Sequence, residues 1–287
     1  MRPYFRTTGD GTPSAVPCTL MRHRLALMIA AIVALSAFPA IADFREDRGL
    51  MAEVDRKPLV QVRGNVEVRA ADGCLRPETL REFAEAAEKA AGDIARFTGL
   101  PPRNHIVIYL SPSIGISHTY TGSSRHAPRV FIDSERVADR TAPYIHELVH
   151  AVAGDGGPMW LEEGFAEWAA SSVATKYGGY YAPVMTAAND RIDDQARAVV
   201  ARSGETRSWF TQDEPQLSSQ HERRAFYILA HSFTKYLATT LGTQRLVSIH
   251  QADDVHALAK ISGISNAEWE RRWMAELEKG EKVAAGR

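Results

Sequence analysis

His146, Glu147 and His150 are the residues of this 287-residue chain whose types and spacing have an evident chemical use. On an α-helix, side chains four apart share a face, so the two imidazoles can reach one metal ion. Glu147, beside the first histidine, suits the general base that takes a proton from an attacking water. A hydrolytic zinc site takes three protein ligands and keeps a fourth position open. Two histidines therefore need a third partner, and carboxylates follow at Glu162, Glu163 and Glu167.

The elements that carry these groups can be read from their surroundings. Tyr144, Ile145, Leu148, Val149, Ala151 and Val152 leave almost no polar face beside the H-E-x-x-H residues, so their helix is expected to be buried. Buried His and Glu are costly without partners, and a cation supplies one. Thr141 is the expected N-cap, with Pro143 in the first turn. Gly154-Asp155-Gly156-Gly157-Pro158 reads as a tight reversal. A second helix is predicted over 159–177, stopped by Gly178-Gly179. Glu163 then stands little more than one turn into that helix, about 7 Å along it. It shares a face with Ala166, Glu167 and Ala170, which are small enough for two helices to approach, whereas Glu162 shares its face with the bulkier Phe165. Glu167 has two readings: an acceptor that orients a metal-bound imidazole, or a solvated or ion-paired helix residue.

HELVH at 146–150 followed by WLEEGFAEW at 160–168 resembles the paired signatures of the gluzincin metallopeptidases, the second of the form W-L-x-E-G-x-A-E-[WY]. Within that clan the pair looks most like the small bacterial peptidase-MA-like proteins. The resemblance implies one Zn²⁺ per chain, with His146, His150 and Glu163 as ligands, Glu147 as base and a peptide or protein as substrate. The spacer between His150 and Glu163 is shorter than in the better-known gluzincins, which leaves Glu162 open as the third ligand. A later helix predicted over 223–241 contains Tyr227-Ile228-Leu229-Ala230-His231-Ser232-Phe233-Thr234-Lys235-Tyr236-Leu237, similar to the family's Y-x-x-S-x-S-F-x-x-Y-L helix. Peptide hydrolysis builds a negative tetrahedral intermediate, and Tyr227, with His231 as the alternative, is the candidate donor to its oxyanion. No Gly-x-Met-x-Asn motif of the aminopeptidase relatives is present, so endo- and exopeptidase action both stay open. Two other readings also stay open: a zinc-binding envelope protein without catalysis, and a zinc hydrolase with a non-peptide substrate. The first would be expected to lose Glu147.

The rest of the chain frames this site. A formal charge of −1 and 24% charged residues offer no case for nucleic acid. Met21-Arg22-His23-Arg24, an apolar run over 25–38 and Pro39-Ala40-Ile41-Ala42 read as a secretory signal cleaved after Ala42, implying an exported, periplasmic or secreted protein without stable membrane insertion after cleavage; an uncleaved anchor is the alternative. Residues 1–20 lie upstream of that signal and read as a non-native extension, with Met21 as the true initiator. Cys18 lies before the cleavage site and leaves Cys74 alone, so no intramolecular disulfide is expected. Residues 43–57 read as a loose leader.

A hairpin is predicted across Gly64-Asn65, an amphipathic helix over 77–97, and strands over 105–110 and 129–133. The resemblance to gluzincins, in which a strand near the metal helix pairs with an extended substrate, implies the segment 117–132 as the candidate for that pairing, and its His118 and His126 read as solvated loop histidines. Asn189, Asp190, Asp193 and Asp194 read as the solvated face of a helix within 180–207, and 208–220 as a loop. Shorter helices follow at 244–249, 255–261 and 266–279. The expected fold is α+β. It has a small, mainly antiparallel N-terminal sheet packed on the metal-site helix, then an all-helical C-terminal half, within a single domain over 43–287.

Overall fold

The computed structural model describes residues 44–122, 126–174, 188–203, 210, 216–252 and 254–285, without the side chains of 44–47 and 280–285. The upstream extension, the signal segment, the Gly178-Gly179 stop and most of the 208–220 loop lie outside these residues.

Strands β1 (Leu59–Arg63) and β2 (Val66–Ala70) form the expected hairpin, with Gly64 at φ 50° in its turn. Helix α2 (Pro77–Thr98) follows, and it buries Leu80, Phe83, Ala87 and Ile94 on one face. Its C-cap, Gly99, adopts φ 71°, the left-handed conformation that ends a helix. Strands β3 (Ile106–Ser111), β4 (His118–Tyr120) and β5 (Arg129–Asp133) complete a sheet of order β1-β2-β3-β5-β4.

The sheet is mixed, not mainly antiparallel. β1–β2 and β4–β5 are antiparallel ladders, but β2–β3 and β3–β5 are parallel. Connectivity accounts for the β2–β3 pair: α2 is a crossover helix, which returns the chain to the sheet in its starting direction. β4 then folds back on the far side of β5 and forms an edge.

Both sheet faces are covered. Ile106, Ile108, Leu110, Val130 and Ile132 join the main core with α2. Val107, Tyr109 and Phe131 point the other way and pack with Val54, Leu50 and Met51. Those three belong to helix α1 (Phe44–Asp55), so the expected loose leader is instead structured. The alternation of side chains in β3 and β5 requires a cover on this face, and α1 supplies it. Glu53 anchors it, accepting hydrogen bonds from Ser111 (2.6 Å) and Ser113 (3.0 Å).

After the short α3 (Ser134–Ala138) the chain is helical: α4 (Tyr144–Ala153), α5 (Met159–Ala174), α6 (Ile192–Ser203), α7 (Gln220–Leu241), α8 (Thr243–Gln251), α9 (Ala257–Ser262) and α10 (Asn266–Ala285). Helix α7 starts three residues before the expected 223. Ser219 caps it, accepting from the Glu222 N–H, while the Glu222 carboxylate accepts from the Ser219 N–H. Trp160, Phe233 and Trp273 stack where α5, α7 and α10 meet. No described helix is long and apolar enough to cross a membrane.

Candidate metal centre

All ten residues of α4 are buried, as its composition requires. The helix begins with Pro143 at the N-cap and no side-chain cap, so Thr141 does not cap it. Its N–H donates to the Arg136 carbonyl (2.8 Å), and with Asp139 and Arg140 it closes α3. The C-terminal end of α4 is held by long-range partners. Arg103 Nε donates to the carbonyls of Ala151 and Val152 (both 3.1 Å), and Gln251 Nε2 to that of Ala153 (2.6 Å). These satisfy carbonyls that a helix end leaves without an internal partner.

The reversal into α5 is tight because its glycines allow it. Gly154 and Gly157 both adopt φ 80°. Gly156 passes so close to α8 that a β-carbon there would lie 2.1 Å from the His250 carbonyl oxygen. The turn sets α5 against α4, and α7 packs across α5 at Gly164.

Three donor atoms converge between these helices. His146 Nε2 and His150 Nε2 are 3.2 Å apart, and Glu163 Oε2 lies 3.3 Å from the first and 3.8 Å from the second. Ligands at 2.0–2.1 Å from a tetrahedral ion stand roughly 3.3 Å from one another. The spacing therefore fits a zinc-sized cation. Glu163 Oε2 is buried without a hydrogen-bond partner, the kind of orphaned acceptor that a cation satisfies.

The outward nitrogens of both rings face carboxylates. His146 Nδ1 is 3.3 Å from Glu167 Oε1, and His150 Nδ1 is 3.7 Å from Glu162 Oε1. Glu167 is fully buried, so it is not a solvated helix residue. Glu162 faces the outer nitrogen of His150, away from the convergence point. Asp155, His150 and Glu162 also lie close enough to form a second, more exposed group of donors among the described residues.

The electrostatics follow from this packing. Burial alone would lower both imidazoles, but Glu163 beside them raises both, and Glu167 helps to hold His146 well above its ordinary value. Burial opposes ionisation of Glu163 too, yet the two histidines hold it far below the carboxylate range. Burial pushes Glu162 up to about 8, with Glu163 and Asp155 adding and His150 opposing.

Glu147 is buried one residue after His146, and its Oε2 accepts a hydrogen bond from Thr119 Oγ1 on β4 (2.8 Å). Tyr227 on α7 reaches the same cluster, its ring 6.5 Å from that of His146. Burial, then Glu163, Glu167 and Glu147, keep its phenol protonated well above the ordinary range. His231 sits one turn further, where its Nε2 bonds Asn189 Oδ1 (2.6 Å), and burial lowers it to about 4. His118 stacks on Phe131 with Nδ1 against the Ile116 carbonyl, and His126 is exposed; neither joins the donor groups.

Asn189 and Asp193 are not a solvated face. Asn189 Nδ2 donates to Ser172 Oγ (2.9 Å), and Asp193 accepts from Ser232 (2.7 Å) and Lys235 (2.6 Å). No local pattern announces these contacts, because their partners lie on α5 and α7.

No protein-family model and no curated protein matches the chain. Among solved structures it is similar to an M1 zinc metallopeptidase from Deinococcus radiodurans, at 17% identity and a TM-score of 0.46, covering 76% of this chain and 51% of that one. A point mutant of that enzyme gives 17% and 0.45, and a two-domain mutant bound to L-arginine 16% and 0.45, with the same coverage. The chain thus spans about half the length of the solved structures it matches.

Proposed function

We propose that this protein is a zinc-dependent peptidase. One observation carries the reading: two imidazole nitrogens and an orphaned buried carboxylate oxygen converge at zinc spacing, with a further carboxylate, Glu147, one residue from the first. His146, His150 and Glu163 are the ligands, and Glu162 and Glu167 orient the two imidazoles. A bound zinc ion supplies Lewis acidity, which lowers the pKa of water and polarises a carbonyl.

The chain's own groups do the rest. Glu147 takes the proton of the attacking water and passes it to the leaving amine. Tyr227, kept protonated by burial and by its carboxylate neighbours, donates to the oxyanion as negative charge develops there. His231 is bound to Asn189, which favours Tyr227 for that role. The substrate is a peptide lying beside the edge strand β4, and the basic and apolar segment over 21–42 supports export.

A peptide-library digest with the zinc-loaded protein tests this. The wild type should cleave, and Glu147→Gln should lose about 10²–10⁴-fold in rate while keeping its metal. Equal cleavage by the two proteins would sink the assignment. N-terminal sequencing of the exported protein should read from Asp43; a chain retaining 21–42 would contradict export by a cleaved signal.

A further inference from the structure

Glu147 is held from outside its own helix. Resting on the peptidase reading above, we infer that Thr119 is a positioning residue: its hydroxyl fixes the carboxylate of the general base and ties the edge strand to it.

The sheet dictates this geometry. Successive side chains of a strand point to opposite faces. His118 stacks on Phe131, a residue of the face covered by α1. Thr119 therefore points to the other face, where α4 lies, opposite Val130 in the β4–β5 register. Being β-branched, threonine has few χ1 states in a strand, so the hydroxyl is presented in a defined direction.

Two oxygens of Glu147 lie within reach of Thr119 Oγ1: carboxylate Oε2 at 2.8 Å and the main-chain carbonyl at 3.0 Å. A hydroxyl carries one proton. A bond to an ionised acceptor is the stronger, so the proton goes to the carboxylate. Oε2 then accepts from Thr119, and the remaining lone pairs of the carboxylate are left to take the proton of the attacking water. Without Thr119 the Glu147 side chain loses the hydrogen bond that fixes its rotamer, and a general base works only when held within hydrogen-bond reach of its proton.

Among the described residues β4 ends the sheet, and an extended substrate would lie beside it. One hydroxyl thus couples the strand that seats the substrate to the group that activates water.

The experiment has an activity arm and a stability arm, both on the zinc-loaded protein. Thr119→Val removes the donor at nearly constant shape, and Thr119→Ser keeps it. The expected result is about a tenfold or larger fall in kcat for Thr119→Val, with KM and zinc content unchanged, and recovery to within about threefold for Thr119→Ser. In the stability arm, Thr119→Val should lower the unfolding midpoint more in the wild type than in a Glu147→Ala background, where only the main-chain carbonyl remains to accept from the hydroxyl. Wild-type kcat in Thr119→Val, equal losses in the Val and Ser variants, or the same midpoint shift in both backgrounds each overturn the proposal. A wild type that cleaves no peptide while the midpoint coupling persists overturns the peptidase reading and the catalytic half of this one, but leaves the contact itself standing.

Discussion

Gly164 and Thr234 stand where α5 and α7 cross, and a β-carbon on Gly164 would lie 2.4 Å from Thr234 Oγ1 and 2.5 Å from the Ala230 carbonyl oxygen. The glycine of the WLEEGFAEW segment is therefore a contact requirement. It lets the helix carrying Tyr227 come down onto the helix carrying Glu163. Gly164→Ala should cost about 1–3 kcal/mol through overpacking and lower peptidase activity by moving Tyr227 off the site. Urea unfolding together with kcat/KM checks both, and an unaffected variant would show that the crossing can relax.

Glu167 tests the outer support of the metal. Its carboxylate is fully buried, 3.3 Å from His146 Nδ1. Glu167→Gln should weaken zinc binding by roughly 10–100-fold, the usual effect of removing an orienting partner. Competition with a chelator of known affinity measures it, and unchanged affinity would reduce Glu167 to packing.

Acid sensitivity should come partly from two buried histidines that are not among the three converging donors. Burial lowers His231 to about 4 and His250 to about 3. In the unfolded chain both titrate near about 6.5. Below that pH the unfolded state binds protons that the native state does not. Their neutral burial is therefore harmless above about pH 6.5, and stability falls as the pH drops from there toward 4, by up to about 1.4 kcal/mol per unit for each histidine. Urea midpoints at about pH 7.5 and about pH 5 should converge more closely for His250→Gln than for the wild type. A variant with the same pH dependence as the wild type would contradict this.

The capping box at the start of α7 gives a local prediction. Ser219→Ala removes the acceptor for the Glu222 N–H and should cost about 1 kcal/mol. Ser219→Asp should restore most of it, and thermal unfolding reads the difference.

That His146 and His150 share a helix face was legible in the sequence because helical spacing is a local fact; Glu163 rested on the resemblance of WLEEGFAEW to a known signature, with Glu162 left open. The S-x-x-E signal at Ser219 and Glu222 was equally local, and it marks the true start of α7. The mixed sheet was not read from the strands, because alternation and β-branching reveal a strand but not its direction. That came from α2, a crossover helix between β2 and β3. Leu50, Met51 and Val54 are too sparse to declare α1; only the second face of the sheet explains them. Thr119 and Asn189 carry no local signature at all, since their partners Glu147 and His231 are brought to them by tertiary packing.

Metal analysis of three purified proteins bears most directly on the central claim: wild type, Glu163→Gln and Glu162→Gln. Three ligands converging on one point predict about one zinc per chain in the wild type and in Glu162→Gln, and close to none in Glu163→Gln. A wild type without zinc, or zinc lost on changing Glu162 and kept on changing Glu163, would contradict the account.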